Sequence, residues 1–404
     1  MTFSPSFRER IVLYALLTSL TSISIDALLP GLREIGTDVG VQPPLSTQHV
    51  ISLFIFGMAF GELLLGPLSD AMGRKRALVL GLGVYALGTV IAMVAGSLEM
   101  VIFGRFLQGV GVSGPKIATR AMIRDQFEGD QMARVMSFMF TLFILVPMLA
   151  PGLAQGIIAV GGWRSVFAVY LVVAGLLGLW LVMRQPETLP ADRRIPFRPR
   201  LLVANGRRIL AHRRVMLLIV ATGLVFGAQL LYLSTAADLF FDAYGIGQTF
   251  PLYFAMLATG IGLASFLNAK LVQRFGADRM ARHGFVGLAL AGLAMLAAST
   301  LWAGRPPLTV LMVLGFAAFF AVGVLFGNLN AMAMRSLGQV AGLGASLIAS
   351  GSSLIATLFA VAIGAFYDGT TLNLSVGFFL AGVSALVLSE IAARADGSPV
   401  EAAR

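Results

Sequence analysis

Cysteine is absent from this sequence, which excludes disulfides, thiolate metal sites and thiol redox chemistry together. Histidine is nearly absent: His49, His212 and His283 are too scattered to form a metal site, and no other feature implies a metal or cofactor. Charge is scarce too. Asp, Glu, Lys and Arg make up 12% of the 404 residues, roughly half the share of about 25% usual in soluble globular proteins. With 58% hydrophobic residues, such a chain cannot cover its surface with polar groups, so most of that surface faces lipid. Long apolar runs between short polar turns also exclude a transmembrane barrel, whose strands are about ten residues of alternating pattern. The class is an all-α polytopic membrane protein.

A formal charge of +10 would suit nucleic acid, but its distribution excludes that partner. Arg and Lys cluster at 74–76, 120–134, 184–214 and 270–282 and nearly vanish from the alternate loops. That is the positive-inside pattern.

The first apolar run, residues 11–25, follows Arg8 and Arg10 like a signal peptide, but no small-residue cleavage site follows and Asp26 lies within the run. It reads as an uncleaved first helix. Further runs centre near 58, 87, 111, 146, 173, 226, 261, 291, 319, 352 and 383. They predict about twelve spans of roughly twenty residues, with both termini cytoplasmic. The one long polar interruption, 185–214, holds Pro186, Pro190, Pro196, Pro199 and many arginines. It divides the chain into an N-terminal six-helix half, 1–184, a basic cytoplasmic linker, 185–214, and a C-terminal six-helix half, 215–404. A short echo supports a repeat: Asp70-Ala-Met-Gly73-Arg-Lys-Arg76 matches Gln273-Arg-Phe-Gly276-Ala-Asp-Arg279 in the second half. Two halves facing each other across a cavity are expected.

Residues 66–76 read Gly66-Pro-Leu-Ser-Asp70-Ala-Met-Gly73-Arg74-Lys75-Arg76 and must form the short turn between two spanning helices. Gly66 and Gly73 allow close packing and a tight turn, Asp70 can meet a positive helix N-terminus, and Arg74, Lys75 and Arg76 mark a cytoplasmic loop. The spacing resembles the signature between helices two and three of major facilitator transporters, and Gly-Pro-Leu-Ser-Asp is the wording of their drug/proton antiporter branch.

Asp26 lies inside the first span. A charged carboxylate there costs about 3 kcal/mol or more, so it must face a wet cavity, meet a cation or be protonated. The structural alternative is a helix-packing carboxylate near the outer interface. Arg105, in Gly104-Arg-Phe-Leu-Gln-Gly109, opens the fourth span, and Lys116 follows eleven residues later. Eleven helical steps return to within about 20°, so the two share one face about 16 Å apart. That face is expected to line the cavity, since lipid is costly for both. Lys116 either neutralises Asp26 or Glu62 or binds an anionic group of a substrate, with snorkelling as a third reading. Glu62, four residues before Gly66, reads as hydrated near the inner interface, with pairing to Lys116 and proton uptake as alternatives.

Asp26 and Pro30 resemble the Asp-x-x-Leu-Pro motif of helix one in bicyclomycin/chloramphenicol-resistance-type antiporters, and Arg105 resembles the Arg of their helix-four motif. The resemblance implies proton coupling at Asp26 and Arg105. At Lys116 and Glu62 the chain departs from that pattern, which usually has an apolar residue and Gln.

Gly109-Val-Gly111-Val-Ser-Gly114 formally matches a dinucleotide fingerprint, yet no strand precedes it and it lies in an apolar span. Here the glycines let helices pack closely. Pro147 and Pro151 resemble the antiporter motif of helix five, without its later glycines, and are expected to bend that helix. Gly161-Gly-Trp163-Arg164 and Pro186-Glu-Thr-Leu189 also read like this branch, with Trp163 an interface anchor. In the second half Gln229, Tyr232, Asn268, Asn328 and Asn330 are the polar candidates, for substrate contact or for bonds between helices.

The resemblance implies a major facilitator fold and a monomeric proton-coupled exporter of drug-like small molecules in a bacterial cytoplasmic membrane, working by alternating access. Asp70 would dock near Gln339 as a latch. The alternative is a transporter of the same fold carrying an endogenous anionic or zwitterionic metabolite. No nucleophile or metal cluster marks an enzyme.

Overall fold

In a chain surrounded by lipid every backbone N–H and C=O must be satisfied within its own segment, so apolar runs of this length become helices. The computed structural model describes residues 5–337 and 341–395, and these are helical with no strand. In chain order the helices are α1 (Phe7–Asp26), α2 (Leu32–Val39), α3 (Gln48–Met72), α4 (Arg74–Met93), α5 (Leu98–Gln126) and α6 (Gly129–Arg184). There follow α7 (Pro199–Ala211), α8 (Arg213–Tyr244), α9 (Phe250–Phe275), α10 (Ala277–Leu301), α11 (Leu308–Met334), α12 (Ala341–Gly364) and α13 (Leu372–Arg394).

Ten helices among the described residues are long and apolar enough to cross a membrane. The expected twelve spans are recovered from two particular helices. α6 runs 56 residues and contains two spans, joined at Gly162, whose φ of 69° and ψ of 176° lie outside helical geometry. α5 is the other, a long helix whose charged and small residues dilute its apolar character.

The chain divides into two compact units between Arg198 and Pro199. In the first, α5 packs on both α3 and α4, and α6 packs on α1 and α4. Glycine makes the α5 contacts possible. A Cβ on Gly109 would stand 2.0 Å from the Phe54 carbonyl oxygen of α3, and one on Gly111 would stand 2.2 Å from the Tyr85 nitrogen of α4. The formal dinucleotide fingerprint is therefore a two-sided helix contact, as its apolar setting implies.

In the second unit α8 packs on α12 and α13, α10 on α11 and α13, and α11 on α9. The internal echo has a structural counterpart. Gly73 alone separates α3 from α4 with φ 103° and ψ 151°, and Gly276 alone separates α9 from α10 with φ 78° and ψ 155°. A one-residue turn at positive φ is open to glycine and strained for any residue with a Cβ.

Residues 185–214 are not merely extended. Residues 185–195 return to the first unit, where Glu187 accepts the backbone N–H of Arg74 at 2.9 Å and of Lys75 at 3.2 Å. The amphipathic α7 instead packs on α8 and α12, burying Ile209.

Candidate transport site

α1 ends at Asp26 for a local reason. Pro30 has no N–H, so the Asp26 carbonyl loses its helical partner. The chain passes through the 3-10 turn Leu29–Gly31 before α2 begins. The candidate span runs from Phe7 to Val39 and includes this break and its carboxylate, although its last turns carry Arg33, Glu34 and Asp38. Asp26 is buried, and no hydrogen bond or ion pair reaches its carboxylate among the described residues. The last turn of α1 is pinned by hydroxyls from other helices. The Tyr85 hydroxyl lies 2.7 Å from Ser24 Oγ, and the Tyr170 hydroxyl donates to the Ile23 carbonyl at 3.1 Å.

Arg105 is completely buried and points at α3, where its Nε donates to the Val50 carbonyl at 3.1 Å and its guanidinium lies 4.2 Å from the centre of the Phe54 ring. Nη1 donates to Gln108 Oε1 at 2.8 Å, and Gln108 in turn donates to Thr89 Oγ1 at 2.7 Å. Nη2 has no partner among the described residues. The face shared by Arg105 and Lys116 is thus directed at α3. The expectation that it lines an open cavity is corrected at Arg105, because a stacked guanidinium bonded to a backbone carbonyl has no room for solvent. Arg105 and Asp26 do not pair directly, but both stand within electrostatic reach of Tyr170, as does Tyr85. The two residues expected to couple protons therefore border one buried cluster of tyrosine hydroxyls.

Sequence reasoning misses Tyr85, Tyr170 and Gln108, which are neutral residues inside apolar helices. The signal that could have found Gln108 is its spacing of three from Arg105, which puts both on one side of α5.

Lys116 Nζ donates to Glu62 Oε1, and the Glu62 side chain has no exposed surface while that of Lys116 keeps 20%. The reading of Glu62 as hydrated is thereby replaced by the pairing alternative. Glu62 lies on the face of α3 turned towards α5, where water does not reach and a cation must.

Around the 66–76 turn, Arg74 is the centre of a charge cluster. It pairs with Asp70, donates to Ser69 Oγ at 2.8 Å and reaches Asp125 at 3.2 Å. The Asp70 carbonyl accepts from the Ile195 N–H at 3.1 Å. Gly73 is doubly constrained, since a Cβ there would stand 2.4 Å from Glu187 Oε2. Gly66 is buried, and Arg76 is exposed on the first turn of α4. Gln339, the expected docking point of Asp70, lies outside the described residues.

Pro147 and Pro151 lie within α6, yet the residue that leaves helical geometry is Gly162. Trp163, expected at the interface, is buried at 2% exposure, because its Nε1 donates to Asp38 Oδ2 at 3.1 Å. Arg164 pairs with the same carboxylate, and the Trp163 N–H donates to Glu34 at 3.1 Å. Together they line an open groove of about 400 Å³ between α2 and the Gly162 elbow.

In the second unit Asn328 donates to Asn268 at 2.8 Å, so it serves a bond between α11 and α9 and not a free site. Gln229 Oε1 and the Tyr232 hydroxyl are buried without a partner among the described residues. They sit three residues apart on α8, with the Tyr232 ring packed against Phe254 and Phe319.

A broken first helix carrying a buried acid, a buried Arg on the fourth span and the one-residue Gly73 turn occur together in a chain that matches the Major Facilitator Superfamily over residues 14–364. The chain belongs to that superfamily. This major facilitator is 30% identical over 342 residues to the bicyclomycin resistance protein homolog of Haemophilus influenzae, covering 84% of this chain and 85% of that protein. It is 27% identical over 371 residues to the multidrug resistance protein MdtL of Klebsiella pneumoniae, covering 90% of each. Its fold is similar to that of a D-xylose–proton symporter, with a TM-score of 0.73 at 17% identity over 98% of this chain and 99% of that one. A peptide transporter solved with sulfate gives a TM-score of 0.74 at 15% identity over 96% of this chain and 94% of that one. The last two likenesses concern the fold alone. The protein is a multi-pass membrane protein of a transporter family.

Proposed function

We propose that this major facilitator is a proton-coupled exporter of drug-like small molecules, acting as a monomer in a bacterial cytoplasmic membrane with both termini in the cytoplasm. Its relatives named for bicyclomycin and multidrug resistance support the substrate class. The observation that carries the coupling is Asp26, a buried carboxylate with no partner among the described residues, at a helix break inside a candidate span. Such a group is stable neutral, and it can hold a charge only when water or a cation reaches it. Protonation from outside and substrate binding from inside therefore compete at Asp26, and each drives the other out. Arg105, with one unsatisfied nitrogen and a bond to the α3 backbone, senses that change through the tyrosine cluster.

The 66–76 turn acts as the conformational latch. Helix-dipole contacts of about 0.3–1 kcal/mol, up to about 2 when partly buried, suit an acid such as Asp70 that must dock and release. Gln229 and Tyr232, whose Oε1 and hydroxyl have no partner among the described residues, are the substrate contacts in the second unit. The test is exchange in proteoliposomes. Substrate efflux should be driven by an imposed pH gradient in the wild type and lost in Asp26→Asn, and full-rate exchange by that variant would overturn the assignment.

A further inference from the structure

The Glu62–Lys116 pair has no part in the coupling just described, and it encloses its two partners unequally. An ammonium carries three donors. One goes to Glu62, and the structure gives Lys116 no other partner among the described residues. The carboxylate is wholly enclosed while a fifth of the lysine side chain remains open. Arg120, one turn further along α5, is exposed. The acid is thus enclosed while its cation stays partly open.

An ion pair formed only to neutralise a buried charge encloses both partners and balances them. Here the acid anchors the cation, and the cation presents its remaining donors outward. Within a span, the open part of a lysine faces water or ligand, because lipid contact is costly. Pro115 stands directly before Lys116, so the Gly111 carbonyl of α5 has no helical donor at this level.

We propose that Lys116, anchored by Glu62, is the receptor for an anionic group of the transported molecule, so that this exporter accepts drug-like compounds bearing a carboxylate, sulfonate or phosphate. This rests on the exporter reading and names its substrate class. Glu62 sets the ammonium in place, and the ammonium disfavours a cationic ligand. The anion takes the two free donors without displacing Glu62.

A matched pair of probes tests this: naphthalene-2-sulfonate, permanently anionic, and naphthalene-2-sulfonamide, its neutral counterpart. Affinity for detergent-purified protein is measured by calorimetry for wild type, Lys116→Met, Lys116→Arg and the double variant Glu62→Gln/Lys116→Met. The double variant removes both charges and keeps the protein folded if Lys116→Met alone does not. The expected result is that the wild type prefers the sulfonate and that Lys116→Arg keeps this preference. Lys116→Met and the double variant should bind the sulfonate about tenfold more weakly, the loss of one charge-assisted bond, with the sulfonamide unchanged. Equal affinity for the two probes in the wild type, no binding of either, or a preference that survives in the double variant would overturn the proposal. Proton-driven exchange of neutral drugs, measured separately, reads the exporter assignment. If such exchange persists without any charge preference, only the anion receptor falls. If the sulfonate binds and nothing exchanges, the exporter reading falls instead.

Discussion

At the scale of the residue, Asp26 and Arg105 ask for different experiments although both are buried. Asp26 makes no side-chain bond among the described residues, so Asp26→Asn removes a proton site and little else, and the variant is expected to purify with an unchanged melting temperature while losing drug-dependent proton release. Arg105 holds Val50, Gln108 and the Phe54 ring. Arg105→Ala takes one bond from the Val50 carbonyl and leaves Gln108 Oε1 unpaired, and a buried unpaired acceptor costs about 1–3 kcal/mol. It should therefore lower the melting temperature as well as abolish transport, which thermal unfolding in detergent checks. That Asp26 sits in an unusual place was legible in the sequence, because a carboxylate in an apolar run is conspicuous. The tyrosines around it were not, since Tyr85 and Tyr170 look like ordinary apolar residues until three helices bring their hydroxyls to one place. Glu62 was misread as hydrated because distance along α3 fixes its depth, whereas its partner depends on which face meets α5.

At the scale of the element, the contacts of α5 are set by glycine. Gly109→Ala would drive a methyl into the Phe54 carbonyl, and overpacking of this kind costs about 1–3 kcal/mol. Gly83→Ala on α4 is the control, since a Cβ there meets nothing within 4 Å. It should be neutral or stabilising, by up to about 1 kcal/mol, through helix propensity. Comparing the two melting temperatures separates close packing from a general dislike of alanine. The start of α4 offers a second case. Glu187 accepts two of its free N–H groups, and Glu187→Ala should cost about 0.5–2 kcal/mol and make residues 185–198 more sensitive to protease. The glycine spacing on α5 was visible in the sequence and its meaning followed from the apolar setting. The Glu187 cap was not visible, because it joins residues more than a hundred positions apart. The prolines of α6 lie inside its first span, whereas Gly162 at φ 69° leaves helical geometry where the two spans join.

At the scale of the whole molecule, length and sparse charge settled the class, and the run count anticipated a chain whose two longest-range features are a central basic segment and a repeated one-residue turn. Gly73 and Gly276 repeat in backbone geometry while their neighbours diverge. Arg74 pairs with the acid before its glycine, whereas Asp278, after Gly276, pairs with Arg335, just past the end of α11, at 2.5 Å. A repeat that keeps its turn and changes its ion pairs suits two units with different tasks, one holding the acid of the first span and the other supplying neutral polar contacts such as Gln229 and Tyr232.

The most direct test of proton coupling is proton release on adding drug to detergent-purified protein in weak buffer, for wild type and Asp26→Asn. Release by the wild type that disappears in Asp26→Asn, with drug binding retained, is the expected result. Equal release by both proteins would contradict a coupling site at Asp26.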